Sequence, residues 1–465
     1  MVTVNIGRTF LTAYNKKYKQ ELSAKEFFDQ EYFELFFNHS KYMQWPTNSP
    51  FVQMKKGQSP DNLNKEERQE KLQNLHQKII DGEKDASIAI GFPASEEKEF
   101  ATTSGLNTDM NIAFSEDEIY LSWFGGGLSV GVAGGFSILF NQPDILLKTF
   151  DGWKVYRKFL NDPTLDKLAG NKITSWNGQW LSYAFSKDYR ESFDYGSLDN
   201  LGFFRLDKTT AVLNTVKWSK LFFNLSQQFP EETRTAYVFS LGQTNKTLGF
   251  YPFRFQQAQK LILFYKKIFG ENAALKNAKY YEEMYGIHIK RACELGAIGL
   301  QALEPDKLRD YFKPDKMPDL KKTKVARRKG ETDEAFELAY KENEKKDYEN
   351  KIIPFRIYKT WLLAMITKNK EESLEYTAEV AKALHEYRLG ATKLDRKNLI
   401  QSELLVAKSK KSFLDALSTI IKDVDITALE IFKNLRDRVH LMSSEDFGYF
   451  VVLLKFDYAY TERNL

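Results

Sequence analysis

Leu121-Ser122-Trp123-Phe124-Gly125-Gly126-Gly127-Leu128-Ser129-Val130-Gly131-Val132-Ala133-Gly134-Gly135-Phe136-Ser137-Ile138-Leu139-Phe140-Asn141-Gln142 carries no charged residue, and its reading decides the fold. The run is long enough to cross a bilayer as a helix. Six of its residues are glycine, however, and each weakens a helix by about 1 kcal/mol. Glu116, Asp117 and Glu118 flank one end, and no basic cluster sets an orientation. The stretch therefore reads as two buried strands around a glycine turn, with no membrane span. The turn, Phe124-Gly125-Gly126-Gly127, lets backbone approach a ligand closely, and it suits a plain hairpin equally well.

Outward from this stretch, strand patterns run from Ala86 to about Phe250, with short runs at Ser87–Ile90, Ile119–Trp123, Leu128–Phe140 and Ala236–Leu241. Upstream, Phe27, Phe28, Tyr32, Phe33, Phe36 and Phe37 recur at helical spacing and predict an aromatic core face. A loop over Lys55–Asn64 leads into a charged helix over Lys65–Ile80. Helical periodicity returns at Gln256–Phe269 and Tyr280–Leu303.

The sharpest break lies between Pro305 and Pro354, where six of the nine residues from Lys321 to Lys329 are basic and an alternating-charge helix follows from Glu331 to Asn350. Beyond it, apolar stripes such as Leu374, Ala378, Ala381 and Leu384, or Leu414, Leu417, Ile420 and Ile421, predict a helical bundle. Gly390 and Asp425 mark turns, and Ser443 or Ser444 caps the last helix. The expectation is an α+β chain: an aromatic-rich mixed body with antiparallel strands over residues 1–315, a basic linker and charged helix over 316–352, and an all-α bundle over 353–465.

A chain of 465 residues with 42% hydrophobic content, 36 Phe and 24 Tyr buries real cores, and its 28% charged content argues against a membrane protein. The net charge of +5 does not decide for nucleic acid, so the distribution of charge must. The single cysteine, Cys293, excludes an internal disulfide framework and a multi-cysteine zinc site. With no signal-peptide layout at the first residues, a reducing, cytoplasmic setting is expected.

Catalytic templates fit poorly. Gly127-Leu128-Ser129-Val130-Gly131 matches a nucleophile elbow, but that motif needs a helix after it, and a strand is expected there. Asp85 with Glu96, Glu97 and Lys98 loosely imitates a magnesium nuclease, and a charged turn explains the same residues. The five histidines are scattered, Leu389 stands where a zincin needs its second histidine, and no Gly-Lys-Ser/Thr phosphate loop exists. No catalytic residue, metal ligand or cofactor is assigned.

Recognition features are clearer. Gly170-Asn171-Lys172-Ile173-Thr174-Ser175-Trp176-Asn177-Gly178-Gln179-Trp180 gathers amides, a lysine and two tryptophans between glycines. Asn171, Asn177 and Gln179 suit base edges, Lys172 suits phosphate and Trp176 suits a stacking or wedging role. A hairpin with core tryptophans and turn asparagines is the alternative. Gly125, Gly126 and Gly127 offer close backbone approach, and Lys321, Lys322, Lys324, Arg327, Arg328 and Lys329 suit a phosphate backbone.

The chain resembles the large subunit of type I CRISPR interference complexes (Cascade), in the subtype I-B form. The resemblance rests on Asn48-Ser49-Pro50-Phe51-Val52-Gln53, on Thr103-Ser104-Gly105-Leu106, on the Trp153–Trp180 stretch, and on Arg436-Asp437-Arg438-Val439-His440-Leu441-Met442 onward to Tyr460. It implies a non-catalytic subunit that holds the 5′ end of the guide CRISPR RNA. Such a subunit reads the protospacer-adjacent motif in double-stranded target DNA and aids R-loop formation. It also docks backbone subunits, small subunits and a helicase–nuclease effector. The resemblance further implies a small-subunit-like bundle, with Met317 or Met365 as an internal start. Two competing readings are a metal-dependent defence nuclease and a protein-only scaffold.

Overall fold

A computed structural model of the chain describes residues 1–46, 49–82, 88–91, 114–191, 202–207, 210–240, 246–272, 284–287, 289–367, 375–390 and 394–464. The fold is α+β, with antiparallel strands in the N-terminal part and a helical C-terminal region. Packing divides the chain into two units, Met1–Gln256 with Cys293–Ile298, and Gln257–Ala292 with Gly299–Leu465. Among the described residues no helix is long and apolar enough to cross a membrane.

The first unit opens with α1 (Val2–Tyr18), then α2 (Ala24–Phe27), a π turn (Phe28–Tyr32) and α3 (Phe33–Phe36), the last three in one continuous rod. The π turn has a packing reason. On an ideal helix Phe27 and Phe36 would lie about half a turn apart, and the extra residue of a π turn swings them towards one face. All six expected aromatics, Phe27 through Phe37, are buried. Phe37 stacks on Phe51 with centroids 3.9 Å apart, and each such pair adds about 0.5–1.5 kcal/mol beyond the area it buries.

Next comes α4 (Lys65–Ile80), entered through an Asn64/Glu67 capping box, and then α5 (Glu116–Gly127). Here the expectation fails. Ile119–Trp123 and the three glycines after it are helical, not a strand and a turn. Ser115 accepts from the Glu118 N–H while Glu118 reaches back, and Glu116, Asp117 and Glu118 face the positive helix end. The hairpin lies further on, between β1 (Val130–Val132) and β2 (Phe136–Phe140), and turns at Gly134 and Gly135, both with positive φ. Of the expected Ser87–Ile90 strand, Ser87 lies outside the described residues and Ile88–Ile90 form a turn, with Ile88 and Ala89 buried.

The unit continues with α6 (Pro143–Leu160), α7 (Ile173–Ala184), the paired strands β3 (Phe204–Asp207) and β4 (Thr210–Leu213), α8 (Trp218–Gln228), β5 (Thr233–Ser240) and β6 (Lys246–Arg254). The main sheet is antiparallel in the order β1-β2-β5-β6, with Ile138 opposite Val130 and Val238, and a bulge at Val238/Phe239.

After α9 (Phe255–Phe269) come β7 (Tyr285–Ile287), α10 (Ile289–Leu295) and β8 (Leu303–Pro305), with β7 and β8 antiparallel. The helical region holds α11 (Asp333–Asp347), a π turn (Tyr348–Ile352), α12 (Ile353–Thr367), α13 (Tyr376–Leu389), α14 (Leu394–Asn398) with a π turn (Leu399–Leu404), α15 (Lys410–Lys422), α16 (Ile426–Leu441) and α17 (Ser444–Asn464). Phe413, Leu417, Phe432, Leu435, Phe450 and Leu454 lie in one core. Ser443 caps α17 by accepting from the Asp446 N–H at 3.0 Å. α17 is buried on almost every face from Phe447 to Ala459, so it is the central helix of its unit. Its charged residues are paired inside: Lys359 meets Asp457 at 2.6 Å, and Lys455 donates to the Tyr311 and Lys313 carbonyls.

Candidate nucleic-acid interface

The basic run crosses the surface of the second unit as a strap without helix or strand. Lys321, Lys322, Lys324, Arg327, Arg328 and Lys329 are all exposed. What fixes the strap is its backbone and one threonine. Asp347, buried at the end of α11, accepts from the Thr323 N–H at 2.9 Å and from the Thr323 hydroxyl at 2.7 Å. Lys351 donates to the Lys321 carbonyl at 2.6 Å, Arg463 to the Leu320 carbonyl at 2.6 Å, and Asn343 to the Thr323 carbonyl at 3.1 Å. Burial alone would raise the Asp347 carboxyl, but the Thr323 hydrogen bonds and the Lys351 ammonium outweigh it and hold the group down at about 2.

This arrangement separates anchoring from charge. The anchors use main-chain atoms, so the ammonium and guanidinium heads are left to solvent. Arg327 is the exception, since it binds the Glu331 carbonyl and the Asp333 carboxylate. Lys321, Lys322, Lys324, Arg328 and Lys329 form no ion pair with any described residue. Five exposed cations without an ion pair among the described residues thus lie on or just beyond a backbone clasped at Leu320, Lys321 and Thr323, a charge density suited to phosphate groups.

The Gly170–Trp180 stretch is not a hairpin; most of it is the first turns of α7. Trp176 is core. It donates to the Gly152 carbonyl at 2.8 Å and stacks on Tyr156 at 4.9 Å. Asn177 is fully buried and donates to the carbonyls of Gly127 and Ser129, each at 2.8 Å. Gln179 is buried and donates to the Asn214 carbonyl at 2.9 Å. These three side chains are engaged within the unit and present nothing to a groove, because α7 is buried on every side from Trp176 to Ala184. Asn171 and Lys172, just before α7, are exposed.

The glycines are also reassigned by their surroundings. A Cβ on Gly125 would lie 1.9 Å from the Thr3 carbonyl oxygen, and one on Gly7 would lie 2.0 Å from that of Leu121. The two glycines therefore let α1 and α5 cross backbone to backbone. Gly126 faces the Ile90 side chain, and Gly127 faces Tyr32 and Trp153. The structure does bring two of the sequence-selected groups together, since Asn177 binds the Gly127 carbonyl. It joins them to each other inside the core.

Ser129 leaves a helix and enters a strand, the reverse of a nucleophile elbow, and its hydroxyl donates to the Gly126 carbonyl at 2.9 Å. Asp85, Glu96, Glu97 and Lys98 lie outside the described residues, as do Asn48 and Thr103–Leu106. Sequence reading missed Asp347, Lys351 and Arg463 as the strap's anchors. The Asp347/Lys351 spacing of a helical ion pair was visible, but nothing in it pointed to Thr323. No family model, curated protein or solved structure matches the chain.

Proposed function

We propose that the chain is a non-catalytic, nucleic-acid-binding subunit of a cytoplasmic RNA-guided complex of the type I interference kind. Within it, the strap of Lys321–Lys329 rides on a phosphate backbone. The observation that carries the reading is the strap itself, five exposed cations along a segment that Asp347, Lys351 and Arg463 clasp at its start, from Leu320 to Thr323. The sequence resemblance supplies the partners: a guide CRISPR RNA, target double-stranded DNA, the backbone and small subunits, and a helicase–nuclease. Motif reading and duplex opening belong to the same proposal. Trp176, Asn177 and Gln179 are withdrawn from it, because burial removes them from any groove.

Replacing Lys321, Lys322, Lys324, Arg328 and Lys329 by Ala is expected to weaken binding to every duplex sequence alike. The slope of log K against log salt should become shallower by about 0.9 for each duplex phosphate that is no longer neutralised. Unchanged affinity and slope would make the strap a structural connector. Magnesium-dependent cleavage by the pure protein would favour a nuclease instead, and failure to bind any guide or target strand at moderate salt would leave a protein-only scaffold.

A further inference from the structure

One group of cations in the first unit has no part in the strap. The Arg157 side chain, on α6, is only 5% exposed and meets no carboxylate among the described residues. Its Nε and Nη2 donate to the Leu35 carbonyl, and Nη2 also to that of Lys41 at 3.0 Å. Its Nη1 is buried with no hydrogen-bond partner, and so are Nε of Arg68 and the hydroxyl of Tyr42. A buried guanidinium without a counter-ion is costly, and an orphaned N–H adds to the cost.

Two further basic side chains feel the charge of Arg157. His39 lies within the field of both Arg157 and Arg68; burial first, then these two charges, hold its imidazole down at about 4. Lys41 is lowered by burial, which outweighs the Asp166 carboxylate acting the other way, and Arg157 lowers it a little further. Its ammonium finds only the Leu165 carbonyl, at 3.1 Å. Arg157 and Arg68 thus each keep a buried donor unmet, with the Tyr42 hydroxyl a third, and His39 and Lys41 both lie in the field of Arg157. Beside them stands Trp45, 47% exposed, its ring 6.1 Å from that of Tyr42. An exposed tryptophan next to unneutralised cations is the pairing of groups that single strands bind, base on ring and phosphate on charge.

We propose that Arg157, Arg68, Lys41 and His39 form an oxyanion site that takes a phosphate of a nucleotide strand, with the adjoining base on Trp45. Partly exposed Lys41, His39 and Arg68 give the ligand its approach, and Arg157 contributes charge from beneath. The assignment to a strand rests on the nucleic-acid reading above; the oxyanion site does not.

The test uses the full chain and two probes, inorganic phosphate followed by thermal shift and a short single-stranded oligonucleotide followed by calorimetry. Arg157 also ties α6 to the Leu35 and Lys41 backbone, so its loss risks unfolding. The double variant Lys41→Ala/Arg68→Ala spares those carbonyls. It should lose the phosphate-induced stabilisation and bind the oligonucleotide about tenfold or more weakly. Trp45→Ala should leave the phosphate response intact and weaken the oligonucleotide about fivefold or more. If phosphate stabilises neither wild type nor variant, and oligonucleotide affinity ignores Lys41 and Arg68, the site does not exist and Arg157 is a clamp. If phosphate responds but Trp45→Ala changes nothing, the site takes the free ion and the strand assignment falls. If no oligonucleotide binds even the wild type, the proposed function fails while the phosphate arm still decides this site.

Discussion

At the scale of single residues, burial decides between recognition and architecture. Trp176 sits between Tyr156 and Trp180 with its N–H satisfied, so Trp176→Ala is expected to cost about 3–5 kcal/mol in denaturant unfolding. Asn177→Ala leaves the Gly127 and Ser129 carbonyls without their donor and should cost about 1–3 kcal/mol. Nucleic-acid affinity measured on the folded fraction should not change in either variant. Asp347 works differently because its contribution depends on charge. Its carboxyl is depressed in the folded state, so the clasp is fully present above the ordinary carboxylate value and is lost as pH falls through about 2. The protection of the Thr323 amide, taken against its intrinsic exchange rate, should therefore fall below about pH 4, and Asp347→Asn should show that loss already at neutral pH. Slow Thr323 exchange in the variant would remove Asp347 from its role.

At the scale of elements, glycine carried two opposite meanings, and the glycines alone do not separate them. Counting its helix cost led to a strand and turn at Leu121–Gly127, whereas Gly125 offsets that cost by admitting the Thr3 carbonyl. The decisive signal was available just upstream: Ser115 with Glu118 three residues on, and three acids in the first turn, mark a helix start. The aromatic rod at Phe27–Phe37 was legible because its periodicity was strong, although its π turn was not. The strap was legible from charge alone, while its anchors were not, since Asp347 and Thr323 are joined only by folding. Gly125→Ala and Gly7→Ala should each force α1 and α5 apart, costing about 1–3 kcal/mol or more by thermal or chemical unfolding. Wild-type stability in either variant would mean that the two helices separate freely.

At the scale of the whole molecule, the helices of the C-terminal region take hydrogen-bond acceptors from residues ahead of Met317. Trp361, central in α12, donates to the carbonyls of Leu300 and Leu303, and Tyr358 donates to that of Asp306 at 2.8 Å. Lys455 takes its acceptors from Tyr311 and Lys313. A fragment starting at Met317 lacks every one of these acceptors, leaving a buried ammonium and a buried indole unpaired. A fragment of residues 257–465 keeps them all and should melt cooperatively, at a higher temperature than one of residues 317–465. Equal melting would show that the residues before Met317 add nothing to the bundle, and would strengthen the idea of an internal start.

The close approach of the Gly7 and Leu121 backbones also has a history in time. α1 leaves the ribosome about 100 residues before α5, which at ordinary synthesis rates is on the order of 5–20 s. Throughout that interval Val4, Ile6, Phe10, Leu11 and Tyr14, all buried in the finished protein, have no α5 to cover them. The nascent chain thus carries a greasy, notched helix ahead of its mate.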